Sequence, residues 1–322
     1  MPISTAASPR VVLCFPRELP AALVIEFAAA LEAGGADELW VIEDCFYTAG
    51  PSLAAAALAR TEHLTVGIGI LPAVARTAAM TAMELATLAA LGPGRLTAGI
   101  GHGVQEWMAQ MGVRPASPLT ALGEVIAAVR RLLAGETLDV QGDYVTLHDV
   151  ALEQPPDPVP PVLAGVRGPR SIAVAGAVAD GLVLAELSGP TAVREALAAA
   201  APTRPFQVAV YSPVHIDRDR RAARAAVAPL VCALVGDAPA GLRAAPFFDE
   251  LVALVGRDGE AGVVGMPDDW WTELAAVGTP DDVAAHIAAL AAAGATSIAL
   301  FPPPNVDGAR EQRDRVLSTV VR

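Results

Sequence analysis

The sequence predicts one (β/α)8, or TIM, barrel domain that spans residues 1–322. Eight short apolar runs lack the apolar/polar alternation of half-exposed strands, which is typical of parallel strands covered on both faces. Helical segments separate these runs, and eight β/α units favour a closed barrel over an open sheet. A chain of 322 residues fits one such barrel, and no linker or block of charge divides it.

Most of the predicted strands stop at a glycine, a proline or a carboxylate residue. They cover residues 10–15, 38–42, 64–71, 95–101, 161–165, 181–187, 206–214 and 297–301. Residues 144–147 predict an additional short strand outside this series. Because barrel active sites lie at the carboxyl ends of the strands, the residues that follow each run are the first candidates for function.

The predicted helices fill the intervals between the strands and show helical periodicity. They cover residues 19–33, 52–60, 77–91, 119–134, 170–178, 192–201, 281–293 and 309–321. The glycines at 34–35 and 92–94 are typical of helix ends, because glycine accepts the left-handed conformation that follows a last turn. Residues 218–276 are rich in helix and loop signals, and no strand is predicted there.

The charged residues exclude several classes of protein. All 22 basic residues are arginine and none is lysine, which excludes Schiff-base enzymes and the lysines of P-loop proteins and kinases. A net charge of −13 argues against nucleic-acid binding, because phosphate neutralisation requires clustered cations. Any anionic ligand must therefore be held locally, by arginine or by helix amides.

Cysteine spacing and hydropathy indicate neither a metal site nor a membrane partner. Cys14, Cys45 and Cys232 are far apart, and no Cys/His spacing is typical of zinc. The most apolar stretch, residues 283–303, contains His286 and fits a helix followed by a strand better than a membrane span. No targeting segment is evident, so we expect a cytoplasmic protein, and its Ala-rich helices permit a homodimer.

The ends of the second and third strands carry two candidate features. Asp44 follows the second strand, where a carboxylate could bond to a ligand or carry a proton; a loop or capping role is the alternative. Gly69 lies near the end of the third strand, where the missing side chain would let the backbone approach a flat ligand. Tight packing in the barrel explains a glycine there equally well.

The fourth strand runs into Gly-Ile-Gly-His-Gly-Val-Gln-Glu-Trp at residues 99–107. Glycines at alternate positions followed by polar residues are typical of a ligand-facing loop. His102 and Glu106 are therefore candidates for ligand contact or proton transfer. The segment lacks the spacing of a dinucleotide-binding fingerprint.

The fifth strand is followed by Gly-Val-Arg-Gly-Pro-Arg-Ser at residues 165–171. Pro169 suits the first turn of a helix, whose free N–H groups together with Arg167 and Arg170 form a candidate phosphate site. Ordinary helix capping is the alternative. Glu186, near the end of the sixth strand, is a second carboxylate near the barrel opening, and its role is left open.

Together these segments resemble the luciferase-like (bacterial luciferase family) flavin and deazaflavin oxidoreductases. The branch most similar to them uses coenzyme F420 and includes methylenetetrahydromethanopterin reductase. The order and spacing of the segments, which are spread over most of the chain, carry the resemblance. They are residues 40–44, 67–72 with Arg76, 94–107, 160–165, 168–171, 179–181 and 277–281.

The resemblance implies an insertion after strand 7 of the barrel, at residues 218–276. It also implies a tricyclic cofactor ring that lies against a bulge at Gly69, Ile70 and Leu71, with a non-prolyl cis peptide near Gly69–Ile70. The other side of the ring would be lined by Gly101, His102, Gly103 and Val104. The phosphate of the cofactor tail would lie at Gly165, Val166, Arg167, Gly168, Pro169, Arg170 and Ser171, with Glu186 nearby.

The activity that the resemblance implies is F420-dependent hydride transfer between C5 of the deazaflavin and a small organic substrate. Asp44, His102 or Glu106 would handle the proton. An FMN-dependent monooxygenase working with a flavin reductase, and a barrel that binds a cofactor without catalysis, remain as alternatives. In the sugar-phosphate dehydrogenases of this family a histidine follows the strand-2 aspartate and lysines bind the phosphate. Cys45 and the absence of lysine therefore argue against a sugar phosphate, and Arg76, Arg167 and Arg170 are the candidate cations.

Overall fold

The computed structural model describes residues 9–185 and 187–321, so the predicted site residue Glu186 lies outside the described residues. Eight parallel strands close into a barrel in the order β11-β1-β2-β3-β4-β7-β8-β9, and β9 pairs with β11 to complete the ring. The predicted (β/α)8 barrel is confirmed. The strands are β1 (Arg10–Phe15), β2 (Glu38–Ile42), β3 (Thr65–Pro72), β4 (Leu96–Gly101), β5 (Leu138–Gln141), β6 (Thr146–Val150), β7 (Val162–Gly165), β8 (Gly181–Leu184), β9 (Gln207–Ile216), β10 (Ala276–Gly278) and β11 (Ser297–Phe301).

The helices surround the barrel and connect its successive strands. Proline occupies the first turn of several of them. Backbone N–H groups in the first turn have no acceptor within the helix, so the absence of an N–H in proline breaks no hydrogen bond there. The helices are α1 (Leu23–Ala33), α2 (Gly50–Arg60), α3 (Ala78–Leu91), α4 (Gln105–Gln110), α5 (Pro118–Leu133), α6 (Pro169–Val178), α7 (Pro190–Ala200), α8 (Arg220–Asp237), α9 (Ala240–Arg243), α10 (Phe248–Val264), α11 (Asp268–Leu274), α12 (Pro280–Ala293) and α13 (Val306–Thr319).

Buried apolar side chains form three clusters. The largest lies between the strands and the surrounding helices, and the smallest fills the barrel interior around Trp40 and Tyr211. A third cluster, which includes Trp271, joins α8, α10 and α11 between the seventh and eighth barrel strands. The inner cluster is small, so the upper part of the barrel has room for a cavity.

Four local predictions differ from the structure. The strand predicted at 144–147 belongs to an antiparallel hairpin of β5 and β6, since the turn between them returns the chain on itself. The strand β10, which pairs with β9, was not predicted because three residues are too few for a recognisable pattern. The predicted loop at 102–107 becomes helical from Gln105, and the strand predicted over 181–187 ends at Leu184.

Across the part of the chain that the structure describes, no helix combines the length and the apolar character required to cross a membrane.

A buried histidine links α12 to the neighbouring elements. Nδ1 of His286 donates to the carbonyl of Thr272 at 2.7 Å, which leaves Nε2 to accept from the hydroxyl of Ser212 at 2.8 Å. Burial lowers the pKa of His286 from 6.5 to about 4. His286 is therefore neutral in the folded protein at neutral pH.

We predict that His286 makes the free energy of unfolding fall as the pH falls from 6.5 towards 4. The unfolded chain takes up a proton in this range and the folded chain does not, so acid favours unfolding, by on the order of 3 kcal/mol at the low end. Urea unfolding of the wild type and of His286→Gln at several pH values between 7 and 4.5 tests this. His286→Gln should have a flatter slope, whereas His148→Gln at an exposed site should match the wild type. Equal slopes for all three proteins would contradict the prediction.

Candidate active site

A cavity of about 560 Å³ opens at the carboxyl ends of the barrel strands. Its volume lies within the range usual for small-molecule sites. Residues at or near the carboxyl ends of β1, β2, β3, β7, β8, β9 and β11 line it, as expected for an active site of this fold, and α8 adds one wall. Six of the predicted site residues contribute to its wall: Asp44, Gly69, Ile70, Gly165, Val166 and Arg167.

The bulge predicted in the third strand is present. The register between β3 and β4 shifts between Ile68 and Leu71, and the Gly69–Ile70 peptide bond is cis, as expected from the resemblance. The side chain of Ile70 packs over Gly165, where a Cβ atom would lie only 2.5 Å from Ile70 Cγ2. Glycine at position 165 is therefore required by the inward turn of Ile70 at the bulge.

Tyr211 of β9 lies against the same bulge from inside the barrel. Its hydroxyl oxygen is buried without a hydrogen-bond partner among the described residues, and a Cβ atom at Gly69 would lie 1.9 Å from it. The Tyr211 ring meets Trp40 edge to face, with 5.6 Å between the ring centroids. Burial raises the pKa of Tyr211 well above its ordinary value, so the hydroxyl stays protonated and can donate a hydrogen bond.

Asp44 forms an ion pair with Arg17 at the cavity wall. The Arg17 guanidinium also bonds to Glu18 at 3.0 Å and lies 4.5 Å from the centre of the Tyr47 ring. Two carboxylates and an aromatic face therefore hold the guanidinium, which in turn orients the carboxylate of Asp44. Arg17 was not among the predicted site residues, because none of them follows the first predicted strand.

Arg76 is not available as a cation at the cavity, so that expectation is wrong. Its guanidinium holds the carboxylate of Glu43 with two bonds, at 2.5 and 3.0 Å, and its Nε lies 3.2 Å from Glu84. Glu43 is only 7% exposed and also accepts the backbone N–H of Gly50 at 2.9 Å. Hydrogen bonding to Glu43 raises the pKa of Arg76, and the pair connects the end of β2 to the segment that precedes α3.

His102 joins two of the predicted site segments. Its Nδ1 lies 3.2 Å from the carbonyl of Pro118 and its Nε2 lies 2.9 Å from the hydroxyl of Ser171. Since a carbonyl only accepts, Nδ1 carries the hydrogen and Nε2 accepts from Ser171. Burial lowers the pKa of His102, which agrees with this neutral state. His102 does not line the cavity itself but holds the first turn of α6 beside β4.

The amino terminus of α6 forms as predicted, with Gly168 as N-cap and Pro169 in the first turn. The first bond within the helix runs from Ile172 to Gly168, so the amides of Arg170 and Ser171 precede the hydrogen-bonded turns. Arg170 is exposed and forms no ion pair with any residue in the described ranges. This terminus is chemically suited to an anion.

The remaining predicted residues do not line the cavity. Leu71 is buried in the outer cluster, and Gly101 packs against the carbonyl of Gly165. Gly103 has a φ of +68°, which favours glycine, and Val104 is 39% exposed. Glu106 is exposed in the first turn of α4.

Sequence reasoning missed the wall formed by the end of β9 and by α8. Inward-facing residues alternate along β9, so Tyr211, Pro213 and His215 all reach the cavity. The strand was predicted to end at residue 214, and the period of two along β9 places His215 on the inward-facing side one residue beyond that end. Trp270 does not line the cavity, because its ring stacks on Phe247 in the third cluster with 4.3 Å between the ring centroids.

The family model of the luciferase-like monooxygenases matches residues 9–297. The chain belongs to this family. A 5,10-methylenetetrahydromethanopterin reductase from Methanolobus tindarius is 30% identical over 307 residues, which are 90% of this chain and 94% of the relative. An F420-dependent glucose-6-phosphate dehydrogenase from Beutenbergia cavernae is 30% identical over 194 residues, 56% of each chain.

Solved structures share the fold of this chain. The coenzyme F420-dependent tetrahydromethanopterin reductase of Methanopyrus kandleri superposes with a TM-score of 0.80 at 20% sequence identity. The match covers 98% of this chain and 99% of that one, so the two barrels share their architecture from end to end.

We predict that Arg76 stabilises the fold through its ion pair with Glu43. In Arg76→Met the Glu43 carboxylate keeps its buried position without its cation, which should lower the free energy of unfolding by about 1–3 kcal/mol. Glu43→Gln/Arg76→Met should recover part of this loss, because a neutral amide needs no counter-charge. Urea unfolding of the wild type and the two variants measures both effects. A double variant that is no more stable than Arg76→Met would contradict the pairing.

Proposed function

We propose that the protein is a coenzyme F420-dependent oxidoreductase that transfers a hydride between C5 of the deazaflavin and a small organic substrate. The cavity at the cis Gly69–Ile70 bulge carries the proposal. It places the backbone of Gly69 and Ile70 beside the buried hydroxyl of Tyr211, which has no hydrogen-bond partner among the described residues and fills the space of a Gly69 side chain. The family and the two relatives named above support the class of reaction and the cofactor.

The residues at the cavity fit a flat polar ring with an anionic tail. The missing side chain of Gly69 makes room for the Tyr211 hydroxyl beside the bulge, and that hydroxyl can donate to a ring acceptor. The amides of Arg170 and Ser171 and the Arg170 guanidinium would bind the phosphate of the tail. His102 would fix the position of that site through its bond to Ser171.

When bound, the deazaflavin supplies or accepts the hydride, and the protein provides position, exclusion of water and the handling of one proton. Asp44 lines the cavity, whereas His102 and Glu106 do not, so we assign the proton to Asp44. Arg17 would hold the carboxylate of Asp44 towards the bound substrate. Ile70 and Val166 would cover the apolar part of the ring and keep water away from it.

The relatives favour F420 over FMN but differ from one another in substrate. One is named for a reduced pterin derivative and the other for a sugar phosphate. The name of the Beutenbergia cavernae relative specifies F420. We therefore extend the cofactor to this chain and leave both substrates with the proteins that bear those names.

The cofactor prediction is tested by equilibrium titration of the purified protein with F420 and, separately, with FMN. We expect saturable F420 binding, followed through the fluorescence of the deazaflavin, and weak or no FMN binding. Tight binding of FMN alone would overturn the proposal and favour a monooxygenase supplied by a flavin reductase. F420 binding without turnover of any enone, imine or alcohol tested would favour a barrel that binds the cofactor without catalysis.

A second prediction concerns the phosphate site. Arg170→Ala should weaken F420 binding by about 1–3 kcal/mol, because a charge-assisted bond is lost while the exposed position leaves the fold intact. Arg131→Ala provides a matched control, since Arg131 is an exposed arginine at the carboxyl end of α5 that bonds to Glu136. An F420 affinity that is unchanged in Arg170→Ala, or that falls equally in Arg131→Ala, would contradict the assignment of the phosphate to the amino terminus of α6.

A further inference from the structure

The cavity has two chemically different halves. Near the ends of β1 and β2 its wall contains Arg17, Glu18 and Asp44, which are bound to one another as ion pairs. The second half is formed by the end of β9, one face of α8 and the segment that follows β11, the strand that pairs with β1. Arginine is absent from the described lining residues of this second half.

The wall contributed by α8 is entirely apolar. Ala226, Val227, Leu230 and Leu234 face the cavity, and their spacing places them along one side of the helix. Phe301 and residues 302–304, which are prolines, continue this surface from the end of β11. An apolar wall of this kind favours contact with hydrocarbon and provides no partner for a charged group.

One polar side chain of this half lacks a partner. His215 lies on the inward-facing side of β9, two positions beyond Pro213 and four beyond Tyr211. Its Nδ1 atom is buried and has no hydrogen-bond partner within the described part of the chain. A buried ring nitrogen without a partner costs free energy, and a bound ligand that supplies the partner removes that cost.

The ring of His215 is neutral at neutral pH. Burial lowers its pKa first, and the charge of Arg315 lowers it further, while Asp217 and Glu311 act in the opposite direction. A neutral imidazole has one donor and one acceptor nitrogen, so it suits an uncharged carbonyl or hydroxyl oxygen. Arg315 itself is occupied by Asp217 and by Glu311.

We propose that this half of the cavity binds the substrate, and that the substrate is a neutral molecule with an apolar body and one carbonyl or hydroxyl oxygen bonded to His215. The inference rests on the proposed function, because it leaves the part of the cavity beside the Gly69–Ile70 bulge to the deazaflavin. A phosphate or carboxylate substrate does not fit this half, since it would lose its hydration without gaining a cation.

Two ring compounds of nearly equal size test the polar contact. Cyclohexanone carries the carbonyl oxygen, and methylenecyclohexane has a CH₂ group in its place. Binding of each compound to the purified protein is measured by ligand-observed NMR. In the presence of F420, turnover of the compound, or its inhibition of the turnover of another substrate, gives a second measurement. The NMR measurement needs no cofactor, so its result is independent of whether F420 binds, and failure of the proposed function is scored separately by the F420 titration.

The wild type should bind cyclohexanone more tightly than methylenecyclohexane. In His215→Phe the affinity for cyclohexanone should fall about fivefold to tenfold, while that for methylenecyclohexane stays unchanged or rises. His215→Asn places an amide near the former Nδ1 position and should restore most of the preference. F420 affinity should be the same in all three proteins, because His215 is assigned to the substrate half.

A second variant tests the apolar wall. Leu230→Asp places a carboxylate on the exposed part of α8 that faces the cavity and should weaken the binding of both ring compounds. Equal losses for the two compounds in His215→Phe, or no loss for either, would overturn the assignment of His215. In a competition experiment, cyclohexanol should displace cyclohexanone at a lower concentration than glucose 6-phosphate does. The reverse order would overturn the proposal that the substrate is neutral.

Discussion

The cavity depends on how the chain turns inward at Gly69 and Ile70. The register shift in β3 directs Ile70 into the barrel, and the room for that side chain is provided by glycines on the neighbouring strands. At Gly99 and Gly165 an added Cβ atom would lie 3.0 and 2.5 Å from Ile70. A barrel interior packed to ordinary density has no such space, so the bulge and these glycines form one structural unit.

This constraint explains the glycine-rich strand ends better than flexibility does. A Cβ atom added at Gly101 would lie 2.5 Å from the carbonyl oxygen of Gly165. The strands β4 and β7 therefore approach each other closely beside Ile70. The close approach draws the first turn of α6 towards the cavity, where His102 fastens Ser171. The candidate phosphate site and the candidate ring site are thus fixed relative to each other by packing and by one partly buried hydrogen bond.

Much of the fold was predictable because it follows from local patterns. Apolar runs gave all eight barrel strands, and Pro169 with its flanking residues gave the start of α6. The partners of charged groups were not predictable in the same way. Arg76 finds Glu43 33 residues away, and a single sequence gives no measure of such a distance in space. With no lysine in the chain, arginine performs the structural pairing as well as any anion binding, so counting arginines cannot separate the two roles.

The unpredicted part of the site follows from the strand period of two. Tyr211 and His215 face the same interior four residues apart, or about 13 Å along β9. Tyr211 lies against the bulge inside the barrel, and His215 lines the cavity closer to the carboxyl end of β9. One strand therefore provides unpaired polar atoms at two depths, which suits two molecules stacked in one cavity better than a single ligand. Because α8 lies between the seventh and eighth barrel strands, its sequence can change the upper wall while the bulge and its glycines keep the lower one constant.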